Sequence, residues 1–369
     1  MEQNTYKFSV DGNYIRVSGI LDGKGANKLV QNINKDNIFT LDLLEVSEIK
    51  FAALRSLLRC RQSGMRFNVI NASTEVAERF EDSGVATFIN VSRKPKPLVL
   101  GSYDEFGAGF LSKAFNNEDG DSMIKVYGKR VPKWLVNQEK TIAKAVMVFG
   151  IPTPLVGSLY EDGENTGLDF ERIPGKRSFS RIISEQPERM EEMTVKFAKM
   201  CKQLHTTQCD TNIFSDRSLF YKMAIEQCKD ITDEEKQKAL DFLNSVPKET
   251  TCLHGDMQLS NVITNEVDDL WIDLSDFGYG NPMFDMGMWY FLSVLNNEQR
   301  SQDIFHLSIN DMRKNWKIFA KEYFNADTEE KQEEVVQKVE PFAALHMLYL
   351  GSTYGFEPGM IDFVRAKIL

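Results

Sequence analysis

The chain has 369 residues, 42% hydrophobic and 27% charged, with a formal net charge of −10. That length exceeds what one hydrophobic core usually serves, so two or three structural units are expected. The negative charge argues against nucleic acid as a partner. No stretch approaches the ~18 apolar residues of a membrane span, and Met1-Glu2-Gln3-Asn4 lacks a basic start leading into an apolar run. A cytoplasmic protein with no membrane partner is the expectation. Cys60, Cys201, Cys209, Cys228 and Cys252 show no Cys-x-x-Cys spacing and read as reduced, packed thiols.

Charge is unevenly shared. Residues 1–100 carry 14 Lys+Arg against 11 Asp+Glu, which leaves 30 against 43 for residues 101–369. An acidic second part either attracts cationic substrates, such as amino sugars or quaternary amines, or is ordinary solvated surface.

In chain order, Tyr14-Ile15-Arg16-Val17 alternates as a strand, and Gly25 to Asn34 fits a short helix with Ala26, Leu29, Val30 and Ile33 inward. Phe39 to Leu43 is a second strand, Ala52 to Arg61 a helix, Phe67 to Ile70 a third strand and Ser73 to Ser83 a third helix. Strands alternating with helices imply a largely parallel sheet. Val17-Ser18-Gly19-Ile20-Leu21-Asp22, Thr40-Leu41-Asp42-Leu43, Val46-Ser47-Glu48-Ile49 and Phe80-Glu81-Asp82-Ser83-Gly84-Val85 together resemble the STAS domain of anti-sigma-factor antagonists and sulfate transporters. In regulatory members of that family the turn before the second helix carries a phosphorylated serine. Here Lys50-Phe51-Ala52-Ala53 offers no hydroxyl, so the resemblance implies a docking or dimerising module rather than a phosphorylation switch.

Ser92-Arg93-Lys94-Pro95-Lys96-Pro97 reads as a basic, proline-stiffened linker, placing an α/β domain at residues 1–92. Beyond it, Glu105 to Lys113 is a glycine-bearing turn between apolar stretches, and Asp119-Gly120-Asp121 marks a hairpin turn before the strand Met123 to Val126. Backbone amides at Gly107 and Gly109 can approach phosphate, and Lys125 is an awkward charge among apolar strand neighbours unless it has a task. Trp134 to Phe149 reads as a helix with Leu135, Ile142, Ala145 and Val146 at helical spacing. The remainder is mostly helical, with Met190 to Thr206, 218–229, 233–244 and much of 286–369 as helices.

The chemistry is concentrated between His254 and Asp285. Asp256 and Asn261 lie five residues apart in a polar loop, followed by the apolar pair Val262-Ile263. A tight turn from Asn265 to Asp269 then leads into Leu270-Trp271-Ile272, a strand that returns Asp273 beside Asn261. Phosphoryl transfer needs a carboxylate to accept or orient a hydroxyl proton and oxygen ligands for Mg²⁺, and these three side chains supply that set.

His254-Gly255-Asp256 with Asn261, then Ile272-Asp273 with Gly280, Pro282 and Asp285, resembles the aminoglycoside phosphotransferase and choline kinase family. The resemblance implies an α+β bilobal protein-kinase-like domain, with a small β-rich lobe over 98–175 and a large helical lobe over 176–369. It implies ATP and Mg²⁺ as cofactors, Asp256 as the catalytic base, and Asn261 with Asp273 as metal ligands. Lys125 becomes the nucleotide lysine with Glu139 as its partner, and Gly167 to Gly175 the lobe hinge, where the backbone of Phe170, Glu171 and Arg172 meets the adenine. His205 is expected to be a buried hydrogen-bonding residue.

Asp276-Phe277-Gly278 spells the metal-binding tripeptide of protein kinases, but Asp273 ends the strand and is in register with Pro282 and Asp285. Protein kinase activity is disfavoured on two further counts. Gln258 stands where those kinases carry a lysine, and nine residues from Asp273 to Pro282 leave no room for a peptide-docking activation segment. The expected activity is transfer of the ATP γ-phosphate to a hydroxyl of a small molecule, an aminoglycoside, a choline-like alcohol or a sugar. A STAS-coupled protein kinase and a nucleotide-sensing binding module are the alternatives.

Overall fold

Alternation in Tyr14 to Val17 buries Ile15 and Val17 on one face, and the same period places Leu41 and Leu43 inward on the next strand. The computed structural model describes residues 6–99, 105–108, 112–116 and 122–369, and the hairpin turn expected at Asp119 to Asp121 lies outside them. The chain divides into two compact units. One contains Met1–Thr141 and Val156–Arg172, the other Ile142–Leu155 and Ile173–Leu369.

The first unit begins with β1 (Tyr6–Asp11), β2 (Tyr14–Leu21), α1 (Gly23–Val30), β3 (Ile38–Ile49), α2 (Phe51–Gln62), β4 (Arg66–Ala72), α3 (Thr74–Asp82) and β5 (Val91–Arg93). Sheet order is β1-β2-β3-β4-β5; β2 to β5 run parallel and β1 antiparallel. β1 escapes the alternation test because its side chains after Tyr6 are mostly exposed. Asp22 and Ser73 start α1 and α3 by accepting the Gly25 and Val76 amides. α1 stops at Val30 rather than Asn34, because the Asn32 amide donates to the Lys28 and Leu29 carbonyls and ends the turn.

The expected linker is shorter than its composition suggests. Its beginning is absorbed into β5 and its end forms β6 (Lys96–Pro97), an edge strand that tolerates a proline without a donor. Then follow β7 (Glu105–Ala108), β8 (Ser112–Asn116), β9 (Ser122–Tyr127), α4 (Lys133–Val148), β10 (Val156–Glu161) and β11 (Thr166–Glu171). These strands make a six-stranded sheet in the order β6-β10-β11-β9-β8-β7. On α4 Ile142 and Val146 are buried as expected, but at the helix start Val136 faces inward and Leu135, expected inside, is exposed because one residue rotates a helix by about 100°.

The second unit carries β12 (Arg177–Ser178), α5 (Phe179–Glu185), α6 (Met190–Thr206), α7 (Ser218–Gln227), α8 (Asp233–Ser245), β13 (Thr251–Leu253), β14 (Val262–Thr264), β15 (Asp269–Trp271) and β16 (Gly278–Gly280). It closes with α9 (Met283–Tyr290), α10 (Glu298–Phe305), α11 (Ile309–Phe324), α12 (Glu329–Tyr354) and α13 (Met360–Ile368). Small sheets β12-β14-β15 and β13-β16 fix the loops between them. Phe197 of α6 is the aromatic hub of this core, its ring 5.1 Å from Trp289, 5.6 Å from Phe319 and 5.8 Å from Trp271. All five cysteines are buried free thiols. Among the described residues, no helix is long and apolar enough to cross a membrane.

α9 and α12 approach so closely that a Cβ at Gly287 would lie 2.4 Å from the Phe342 carbonyl carbon. Gly287→Val is therefore expected to cost at least ~2 kcal/mol of stability by overpacking. Urea denaturation of the second unit's aromatic core, followed by tryptophan fluorescence, measures it; an unchanged midpoint would refute the packing account.

Candidate active site

β13 ends at Leu253, and the chain then enters His254-Gly255-Asp256 through a turn that only glycine makes easily. Gly255 has φ +79°, and a Cβ there would meet the Asp276 carbonyl oxygen at 2.1 Å. The turn is held from behind by Asp285, 2% exposed on α9. Its carboxylate accepts the His254 amide at 2.8 Å and the Gly255 amide at 3.0 Å, and meets His205 Nε2 at 3.1 Å. His205 Nδ1 in turn meets the Tyr323 hydroxyl at 2.7 Å, the buried hydrogen-bonding place expected of it. Burial alone would push the Asp285 carboxyl up, but His205, His254 and the His254 amide outweigh it and hold the carboxyl below its ordinary value.

His254 is fully buried, and its Nε2–H donates to the Ile272 carbonyl at 3.1 Å, tying the Asp256 loop to the end of the β15 ladder. From the other side the Ile272 amide donates to the Asn261 carbonyl at 2.9 Å, and Val262 pairs with Trp271. This register returns Asp273 to Asn261. Asp273 adopts φ 60°, ψ 57°, a left-handed conformation that aspartate tolerates better than most residues.

Asp256 lies at the centre. Asn261 Nδ2 donates to its carboxylate and to its carbonyl, both at 2.8 Å, while Gln258 Nε2 donates to each carboxylate oxygen at 3.1 Å. Burial raises the Asp256 carboxyl pKa above its ordinary value, and the Asp273 and Asp276 charges add to the rise against the opposing pull of His254 and Asn261. A half-buried carboxylate with raised basicity and a fixed orientation suits proton acceptance. Asp276 is engaged elsewhere, paired with Arg217 Nη1 at 3.1 Å.

In the first unit, Lys125 sits on β9 between Leu168 of β11 and Ala114 of β8. Its ammonium meets Glu139 Oε1 of α4 at 2.9 Å, and the Tyr127 hydroxyl donates to Glu139 Oε2 at 2.5 Å. Glu139 is 7% exposed, so this is a positioned pair rather than a surface contact. Gly107 pairs with Ala114 in the β7–β8 hairpin, and Gly109 lies outside the described residues. Phe170 and Glu171 end β11, and Arg172 is the last residue of the first unit.

A cavity of about 600 Å³ opens beside Asp256 within the second unit, walled by Gly255, Asp276, Arg217 and residues of α7, α9, α12 and the π-helical turn Phe291–Leu295. Reading the sequence alone misses Arg217 and His346 on this wall, and notes Gln258 only as the replacement for a kinase lysine. Nothing in their local pattern marks the first two, whereas Asp285 is present in the motif but its task of holding two amides is visible only in three dimensions. Among the described residues, no group of three or more His, Cys, Asp or Glu side chains is placed to hold a metal ion. Asn261 and Asp273, whose chain segments are joined by the Ile272 to Asn261 backbone bond, carry oxygen donors of the type a hard cation takes.

The chain matches the model of the phosphotransferase enzyme family (APH) over residues 106–308, more than half its length. It belongs to that family and is a small-molecule kinase with a hydroxyl acceptor. Among solved structures it is similar to ADP-bound aminoglycoside phosphotransferase APH(2'')-Ib, at 15% identity and TM-score 0.49, covering 79% of this chain and 96% of that one. It is also similar to a thermostable mutant of APH(4)-Ia in ternary complex with ADP and hygromycin B, at 14% identity and TM-score 0.47, covering 72% and 90%. APH(3'')-Id from Streptomyces rimosus ATCC10970 with ADP and streptomycin follows at 15% identity and TM-score 0.44, covering 68% and 91%. No curated protein matches the chain.

Asp285→Asn keeps the shape but removes the charge that serves two amides and a histidine, and should cost about 3 kcal/mol at neutral pH. Because the folded Asp285 carboxyl titrates below its unfolded value of ~3.9, its contribution is full above that pH and fades as pH falls through the folded value. Urea midpoints of the two proteins should differ at pH 7, and the difference should shrink only as pH falls below ~3.9.

Proposed function

We propose that the chain transfers the γ-phosphate of ATP to a hydroxyl of a small molecule, with Asp256 accepting or orienting the hydroxyl proton. The carrying observation is the Asp256 carboxylate, fixed by Asn261 and Gln258 and raised in basicity, on the wall of a cavity large enough for a small acceptor. Asn261 and Asp273 would hold Mg²⁺, which when bound neutralises charge on the β and γ phosphates. Lys125, oriented by Glu139, binds phosphate oxygens, and backbone amides near Gly107 and Gly109 approach them. The backbone of Phe170, Glu171 and Arg172 receives the adenine. Aminoglycosides, choline-like alcohols and sugars all present a suitable hydroxyl, so acceptor choice falls to the cavity walls.

Gln258 bears on the protein-kinase alternative, because it spends its amide on both Asp256 oxygens and supplies no cation for a peptide-linked hydroxyl. Against a purely nucleotide-sensing role stands the raised Asp256 carboxyl beside an acceptor-sized cavity, which binding alone does not require.

The N-terminal sheet supports a STAS-like module with a contact role. Its parallel β2 to β5 and three helices follow that pattern, and Phe51 at the start of α2 is 60% exposed with the Arg79 guanidinium 4.4 Å above its ring. An apolar residue where a phosphoserine would act favours a constitutive contact, with a second copy or another protein, over a charge switch.

Asp256→Asn should retain MgATP binding and lower kcat at least ~100-fold; a kcat near wild type would remove Asp256 from the chemistry. In the wild type, kcat/KM should fall on acidification with a midpoint above the ordinary aspartate range. Asp276→Asn, which removes one of the charges raising Asp256, should move that limb to lower pH.

Asp273→Asn, which suits the left-handed backbone, should raise the Mg²⁺ concentration for half-maximal turnover at least ~10-fold by removing a charged ligand, whereas Asp276→Asn should leave it nearly unchanged. The opposite ranking in Mg²⁺ titrations would assign the metal to Asp276.

A further inference from the structure

The cavity beside Asp256 has walls unlike those a polycation requires. Three carboxylates reach it, Asp256, Asp276 and Glu357, against two guanidinium groups, Arg217 and Arg300. Asp276 is already paired with Arg217 and Glu357 with Arg300, and Asp256 is held by two amides. Several ammonium groups entering here would lose water without gaining free carboxylates, a cost of several kcal/mol for each unpaired charge.

Apolar surface dominates the rest of the wall. Phe220, Tyr221, Phe291, Tyr349, Tyr354 and Phe356 supply ring faces, with Met288 and Leu292 between them. The apolar character continues outward along α7, where exposed Leu219 and Met223 share a helix face with Phe220. An exposed apolar rim running into an aromatic cavity suits a ligand that is itself largely apolar.

One polar group on this wall is a buried imidazole. His346 of α12 is 6% exposed, flanked by the Phe291 ring at 5.6 Å and the Tyr349 ring at 6.1 Å, and among the described residues neither ring nitrogen has a hydrogen-bond partner. Burial and the nearby Arg217 charge hold its pKa down to about 3, so at neutral pH it is an uncharged imidazole with one donor and one acceptor. An imidazole on the cavity wall can give a ligand there one hydrogen bond as donor or acceptor.

Building on the phosphotransfer reading above, we infer that the acceptor is a hydroxylated molecule with an apolar or aromatic skeleton and at most one positive charge, one polar group of which hydrogen-bonds to His346. The ring faces hold the skeleton by stacking and exclusion of water, His346 sets its orientation, and Asp256 meets the hydroxyl that receives phosphate. His346 is thus a specificity-determining residue, not a participant in the phosphoryl step.

Calorimetric titration of the full chain with 6-(2-hydroxyethyl)-2-naphthol, whose phenol can reach His346 while its alkyl hydroxyl meets Asp256, and with kanamycin and glucose, each with and without MgADP, tests this. The aryl alcohol should bind at least ~10-fold more tightly than kanamycin or glucose, as burial of apolar area predicts, and should stimulate ADP release from MgATP. His346→Leu should weaken the alcohol ~10-fold, the worth of one hydrogen bond, and His346→Gln should recover most of the loss, both with unchanged melting temperature. Tighter binding of kanamycin overturns the acceptor class, and an unaffected His346→Leu overturns the role of His346. Failure of MgADP to bind at all would refute the phosphotransfer reading instead, and the titrations without nucleotide would still report on the cavity.

Discussion

The buried carboxylate of Asp285 is the interaction on which the second unit's chemistry rests. A turn that exposes Asp256 leaves the His254 and Gly255 amides pointing inward, where no strand can receive them, and Asp285 receives both. The same oxygen that takes the His254 amide meets His205, so α6, α9 and the turn are joined at one point. A buried charge is costly unless nearly every lone pair is used. Here donors from three directions use them, which turns an expensive group into a rigid brace.

That brace sets the electrostatics of the site. Asp256 sits close enough to Asp273 and Asp276 for like charge to raise its basicity, and burial adds the larger share. The arrangement does not collapse by repulsion, because each carboxylate is drawn in a different direction. Asp285 faces histidine and amides, Asp276 faces Arg217, Asp256 faces Asn261 and Gln258, and Asp273 is held in a left-handed turn. Separate partners allow adjacent acids to serve separate ends. In the first unit the Lys125 and Glu139 pair follows the same logic, with Tyr127 completing the glutamate so that the lysine is aimed rather than merely neutralised.

Much of this is legible in the order of the residues. The strand and helix alternation over residues 14–83, helix α6 with its boundaries at Met190 and Thr206, and the return of Asp273 to Asn261 follow from short-range pattern, because period and turn chemistry are local. Expectation and structure part where local pattern is silent. β1 is hidden by its exposed side chains, α1 is shortened by a single asparagine, and the supposed linker donates both its ends to sheets whose partners lie far along the chain.

The residues of the chain by themselves therefore determined the family and the local path that brings Asp256, Asn261 and Asp273 together, since motif spacing encodes a loop and a hairpin that fold back on themselves. Tertiary structure alone decided what surrounds them. Arg217 finds Asp276 across fifty-nine residues, and His346 reaches the wall of a cavity whose Asp256 lies ninety positions earlier in the chain. Such meetings depend on how α7, α9 and α12 pack. Helix packing is governed by the summed shape of many apolar side chains, and no short stretch of sequence contains that sum.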